Sequence, residues 1–138
     1  MVINYWAVIV CAVLAMVLGF IWYGPLFGKV WMRIYGADKL DEVKRKEMQK
    51  KAGPLYLVQF VLVLFQIWAL ATYTIALVPV GVLIYSLLLW LAFIMPTIAS
   101  TCMWTNDPRR VAWTKFGIQS GYQLLLFIMF GLILGLWQ

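Results

Sequence analysis

Gln59, Gln66, Thr97, Ser100, Thr101, Gln119 and Gln123 are the residues of this chain best suited to chemistry, and the chemistry they offer is hydrogen bonding. They sit inside long uncharged runs. Each amide brings two donors and an acceptor, and each hydroxyl brings one donor. Gln59, Gln66 and Tyr73 are spaced by seven, close to two helical turns, and so share a stripe. Counted along their runs, Gln59, Thr97, Ser100, Thr101, Gln119 and Gln123 fall toward the basic ends, with Gln66 near the middle. Facing inward, they could line a polar pocket. They could equally be interhelical hydrogen bonds, worth about 0.6 kcal/mol each. Both readings expect them to face protein and not lipid.

Other chemistries find little support. Histidine is absent, which rules out a Ser-His or Cys-His nucleophile within the chain. Cys11 and Cys102 fall in different runs and form no CxxC pair, so neither a disulfide nor a metal site is expected. The glycines form no phosphate loop. No long apolar run carries an ionisable residue in its interior, which argues against a proton relay. Asp107, beside Arg109 and Arg110, supports only the weakest reading, an interfacial enzyme. No catalytic residue or cofactor is expected.

Composition sets the frame for these residues. Only 12% of the 138 residues are charged and 65% are hydrophobic. Soluble domains are about 25% charged, and a membrane-spanning helix needs about 20 mostly apolar residues. The chain therefore reads as a single all-α membrane domain over 1–138, an up-down bundle of four spans at about 2–23, 54–78, 82–104 and 111–137. The first apolar run lacks a preceding basic region and is expected to stay as a span.

The runs carry their own packing signals. Ala7, Cys11, Ala15 and Gly19 recur every four residues and put small side chains on one stripe. Gly117/Gly121 and Gly131/Gly135 are GxxxG pairs, suited to close helix contact within the bundle or between subunits. Pro96 is expected to kink the third span, with Thr97, Ser100 and Thr101 able to bond back to freed carbonyls.

Between the first and second spans, residues 24–53 read as an interfacial and solvated segment on the cytoplasmic side. Pro25 should end the first helix near Gly24. Leu26, Phe27, Val30, Trp31 and Ile34 could form one face of a short helix on the membrane, which Gly36 would stop. Asp38 can cap the helix after it, with Asp41 three residues on as in a capping box. Asp41/Arg45, Glu42/Lys46 and Glu47/Lys51 are acid-before-base pairs at i,i+4, worth about 0.3–0.5 kcal/mol each. Pro54 suits the first turn of the second span.

Charge gives the orientation. The net charge is +6, from 11 Lys/Arg against 5 Asp/Glu, and all 16 lie in the first connection or around the Thr105–Arg110 turn. Both stretches share one side of a bundle with four spans. The positive-inside rule makes that side cytoplasmic, puts both termini outside, and fits a plasma membrane. Trp22, Tyr23, Lys29, Trp31, Arg33, Trp104, Arg109, Arg110, Trp113 and Lys115 are then expected as interfacial anchors that could meet anionic lipid headgroups. No nucleic-acid partner is expected. Trp22/Trp31 and Trp104/Trp113 share a spacing of nine, which duplication or interfacial aromatic enrichment would explain.

The stretch from Asn4 through Gly19-Phe20-Ile21-Trp22-Tyr23-Gly24-Pro25-Leu26-Phe27-Gly28-Lys29-Val30-Trp31, with Gly121-Tyr122 late in the chain, resembles the small membrane-protein family catalogued as domain of unknown function 1761. The resemblance implies the four-span topology and a plasma-membrane location in bacteria or archaea. It brings no activity, substrate or catalytic residue. Two function classes stay open. One is a non-enzymatic bundle, alone or as a homo-oligomer, that binds or passes a small molecule or lipid. The other is an accessory subunit that packs on a partner membrane protein through the small-residue stripes.

Overall fold

The computed structural model describes residues 2–137, apart from the Ala37 side chain. It is all-helical, with helices α1 (Tyr5–Ile21), α2 (Gly28–Ile34), α3 (Glu42–Thr74), α4 (Pro79–Leu89), α5 (Met95–Met103) and α6 (Arg109–Trp137). Two π-helical turns, Trp22–Leu26 and Trp90–Ile94, continue α1 and join α4 to α5. A 3-10 turn, Ala37–Lys39, separates α2 from α3. Four helical stretches are long and apolar enough to cross a membrane: Tyr5–Leu26, Glu42–Thr74, Pro79–Met103 and Arg109–Trp137. The protein is a membrane protein of four apolar helices.

Pro25 and Pro54 act differently from expectation. Pro25 does not end the first helix at Gly24. The chain widens by one residue into a π turn, and the Phe27 amide donates to the Trp22 carbonyl at 2.9 Å. A wide turn absorbs the missing proline N–H without breaking the rod. Pro96 is handled alike, with the π turn Trp90–Ile94 immediately before its helix. Pro54 lies inside α3 and does not start it. The solvated arm and the second span are one 33-residue helix. The carbonyl that Pro54 leaves unbonded is that of Lys50, an exposed residue at the lysine-rich end, where water can satisfy it. The cap of this helix is Asp41, not Asp38: its side chain accepts from the Lys44 amide at 2.9 Å. Gly36, at φ 71°, does end α2 as the sequence implies, since that backbone favours glycine.

The core runs along α1, α3, α4 and α6. Ala7, Cys11, Ala15, Ile67, Leu126 and Leu134 are fully buried. The small-residue stripe of α1 is thus consumed inside the chain. α6 packs antiparallel to α4: a Cβ on Gly131 would lie 2.9 Å from Leu83 Cα, and one on Gly135 2.9 Å from the Pro79 carbonyl oxygen. These glycines allow the two backbones to touch. Gly117, of the other pair, faces open space. Asn4 closes the end that carries the termini. Its side chain accepts from the Ala7 amide at 3.2 Å and donates to the Trp137 carbonyl at 2.8 Å. At the opposite end, Lys115 of α6 lies 4.8 Å from the Tyr35 ring centroid, so the two basic connections meet there.

Candidate functional site

A cavity of about 950 Å³ lies toward this charged end. Its walls are Met16, Gly19 and Phe20 from α1, Tyr23 and Gly24 from the π turn, and Trp31 from α2. Tyr56 and Gln59 of α3, Ile98 of α5, and Gln119, Tyr122 and Gln123 of α6 complete it. The volume is in the range of small-molecule pockets, about 300–1,000 Å³.

The junction sequence builds one side. The π turn swings α2 back beneath the bundle. Gly28 is needed where the chain leaves the turn, because a Cβ there would stand 2.8 Å from the Tyr23 carbonyl oxygen. Tyr23 meets Trp31 edge-on at 4.9 Å and Tyr122 at 5.4 Å, and Trp31 meets Tyr35 at 4.8 Å. Lys115 over the Tyr35 ring ends this ladder and is itself paired with Asp107 at 2.6 Å. That hydrogen bond from Lys115 holds the Asp107 carboxyl below the usual carboxylate range.

α6 supplies the other side, and aromatic donors fix it. Trp22 Nε1 donates to the Ile118 carbonyl at 2.9 Å, Trp90 Nε1 to the Ser120 carbonyl at 3.1 Å. The Tyr122 hydroxyl donates to the Ala15 carbonyl at 2.9 Å. Gly19 makes room for that hydroxyl, since a Cβ there would lie 2.8 Å from it. Gly121 likewise seats the Trp22 ring, 3.2 Å from where its Cβ would be. A π turn starts at each of these tryptophans, so each widened turn follows directly on an indole bonded to α6.

The expected polar cluster divides. Gln59, Gln119 and Gln123 line the cavity. Gln119 Oε1 accepts from Cys102 Sγ at 3.7 Å. Gln123 Oε1 is buried in the wall with no hydrogen-bond partner. Gln66 is half-buried and lies outside the lining. Thr97, Ser100 and Thr101 are exposed on α5, contrary to the expectation that they face protein. The Thr97 hydroxyl bonds back to the Phe93 carbonyl and that of Thr101 to the Thr97 carbonyl at 2.9 Å, so the helix itself satisfies them.

The expected interfacial set divides too. Trp22, Tyr23 and Trp31 are half-buried and turn into the bundle. Lys29, Arg33, Trp104, Arg109, Arg110 and Trp113 are exposed. Arg109, Trp104 and Trp113 flank a second hollow of about 430 Å³ that also includes Asp107. Tyr56, Trp90 and Tyr122 were not singled out as site residues by the sequence. The signal available was Tyr122 itself, set between Gly121 and Gln123 and so flanked by space and an amide. Among the described residues no three of His, Cys, Asp and Glu cluster as metal ligands.

No curated protein and no solved structure matches the chain. The sequence model of the family described as Protein of unknown function (DUF1761) matches residues 6–135, which takes in the junction, both π turns and the whole cavity lining. With all but its ends matched, the chain belongs to the DUF1761 family.

Proposed function

We propose that this protein binds a small molecule or lipid in the cavity at the charged end of its helices, as a non-enzymatic bundle. One observation carries the reading. Amides from α3 and α6 line a cavity of about 950 Å³ that no charged side chain enters, and one amide carbonyl, Gln123 Oε1, has no partner. Packing alone would tend to close such a space or satisfy such a group. The lining holds no carboxylate, amine or thiol, so it suits holding a ligand better than moving a proton.

In the orientation we propose, the positive-inside rule puts the basic connections in the cytoplasm and both termini outside, in a plasma membrane. Lys29, Arg33, Arg109 and Arg110, exposed there, suit contact with anionic headgroups. The alternative role as an accessory subunit has less support. Ala7, Cys11 and Ala15 are buried within the chain, which leaves the open face at Gly117 for a partner helix.

Native mass spectrometry of protein released gently from its own membrane tests the reading. A defined small molecule or lipid should stay bound, and Gln119→Leu should release it while the protein stays folded. A folded protein that carries nothing, or one bound only to a second polypeptide, would refute it.

A further inference from the structure

Resting on that ligand-binding reading, we infer that the cavity takes a neutral, hydroxyl-headed amphiphile of the bilayer, which slips in sideways between α3 and α5. The head chemistry follows from what the lining offers. Its polar groups are amides and phenols, with no cation among them. An anionic head would leave water with nothing to balance its charge. Lys115, one turn before Gln119 on α6, is already held by Asp107 at 2.6 Å and by the Tyr35 ring. Lys29 and Arg33 are exposed, outside the lining.

Among the buried side-chain polar atoms of the described residues, one is without a partner. The Tyr122 hydroxyl is committed to the Ala15 carbonyl, and Gln119 Oε1 to the Cys102 thiol. Gln123 Oε1 has no donor. Gln123 itself lines the cavity, and its last side-chain torsion is broad, so the amide can reorient toward a bound head. A hydroxyl both donates and accepts, so it answers the amide in either orientation. Met16, Phe20 and Ile98 supply apolar wall for an alkyl tail.

The route follows from α3. This helix buries Val63, Ile67, Leu70, Ala71 and Thr74, all toward its C-terminal end. From Glu42 to Leu62 no residue is fully buried, and Phe60, near the end of that stretch, is half-buried against the core. It packs chiefly on α1 and, less, on α4, so its N-terminal half stands away from α5 and α6. Tyr56 and Gln59 on α3 and Ile98 on α5 border the slot this leaves. A slot between two apolar helices opens into lipid, not water.

The test uses the full chain in phosphatidylcholine nanodiscs that hold equal amounts of dioleoylglycerol and dioleoyl phosphatidic acid. Native mass spectrometry reads which lipid the chain retains. Dioleoylglycerol should be retained. Gln123→Met, which keeps side-chain length and removes the amide, should lower that retention about tenfold, the cost of about one hydrogen bond. Ile98→Trp, which fills the slot, should abolish it, and circular dichroism confirms that each variant keeps its helices. If Gln123→Met does not fold, Ile98→Trp carries the test. Preferred retention of phosphatidic acid, lost in Ile98→Trp, would overturn the neutral head and leave the ligand-binding reading standing. Glycerol added from water and retained in place of the lipid would overturn the lateral route alone. Retention of either lipid unchanged in both variants would overturn this inference and the ligand-binding reading together.

Discussion

The two ends of the helix bundle are built on opposite rules. At the end that carries the termini, backbones touch: Gly131 and Gly135 of α6 lie against Leu83 and Pro79 of α4, and Phe130, Leu134 and Val82 are buried around them. The buried hydroxyls there are satisfied within their own helices, Ser86 by the Val82 carbonyl and Thr74 by the Leu70 carbonyl, both at 2.8 Å. At the charged end the helices part, rings replace small residues, and an amide oxygen goes without a partner. One end gains from contact and the other gives it up for space. The bundle is therefore expected to unfold from its packing at the first end and to respond to ligands at the second.

Gly131→Val strikes that contrast hardest. A Cβ would stand 2.9 Å from Leu83 Cα, and backbone cannot swing aside as a side-chain tip does. Overpacking of this kind costs about 3 kcal/mol, which detergent or denaturant unfolding would read. The same change at Gly117, which faces open space, should cost almost nothing beyond β-branching in a helix. Equal losses at the two sites would erase the distinction between the ends.

Asn4→Ala tests the other clasp of the tight end. It removes the cap on α1 and the bond to the Trp137 carbonyl. A cap is worth about 1 kcal/mol and an interhelical hydrogen bond in a membrane about 0.6 kcal/mol. A loss of about 1.5 kcal/mol is expected. If the loss is confined to fraying of α1, seen as faster amide exchange there alone, the bond to α6 contributes little.

Gln123→Met should change stability in the opposite direction. An unpaired buried carbonyl costs about 1–3 kcal/mol, so the ligand-free protein should gain about 1 kcal/mol when it is removed. Stability gained with binding lost is the signature of a site built at the expense of packing. A destabilised variant would mean that Gln123 has a partner in the membrane-embedded protein, and the second end would then be as well satisfied as the first.

How far the sequence carried this contrast depends on the kind of force involved. The four apolar stretches, the small-residue stripe at Ala7, Cys11 and Ala15, and the close approach at Gly131 and Gly135 follow from hydropathy and spacing, because burial and backbone contact are set by residue size at helical intervals. The three amides that line the cavity were also legible. The aromatic side was not. Trp22, Tyr23 and Trp31 have the composition of interfacial anchors, yet Trp22 bonds to α6 and Tyr23 and Trp31 line the cavity. A proline announces a disturbed helix, but whether the chain breaks, kinks or widens depends on what the next turn packs against. Here that is α6, whose carbonyls accept the two indoles. The hydroxyls on α5 failed for a related reason, since back-bonding satisfies Thr97 and Thr101 without any neighbour.

The smallest effect expected lies at the outer edge of the open end. Asp107 anchors Lys115, Lys115 sits over Tyr35, and Tyr35 leads through Trp31 to the cavity wall. The hydrogen bond from Lys115, with help from that of Thr105, lowers the Asp107 pKa in the folded protein. A depressed carboxylate contributes stability that is complete above its unfolded value, about pH 4, and is lost as pH falls through the lower folded value. The pair lies near the surface, so solvent screens it and the loss is small. Its consequence is local: acidification should free Lys115, loosen the Tyr35–Trp31 contact and shift tryptophan emission, with the tight end unchanged. Asp107→Asn should show the loosened state at neutral pH and no further acid step. An acid step of undiminished size in that variant would place the responsive group elsewhere and cut the link between the charged loop and the cavity.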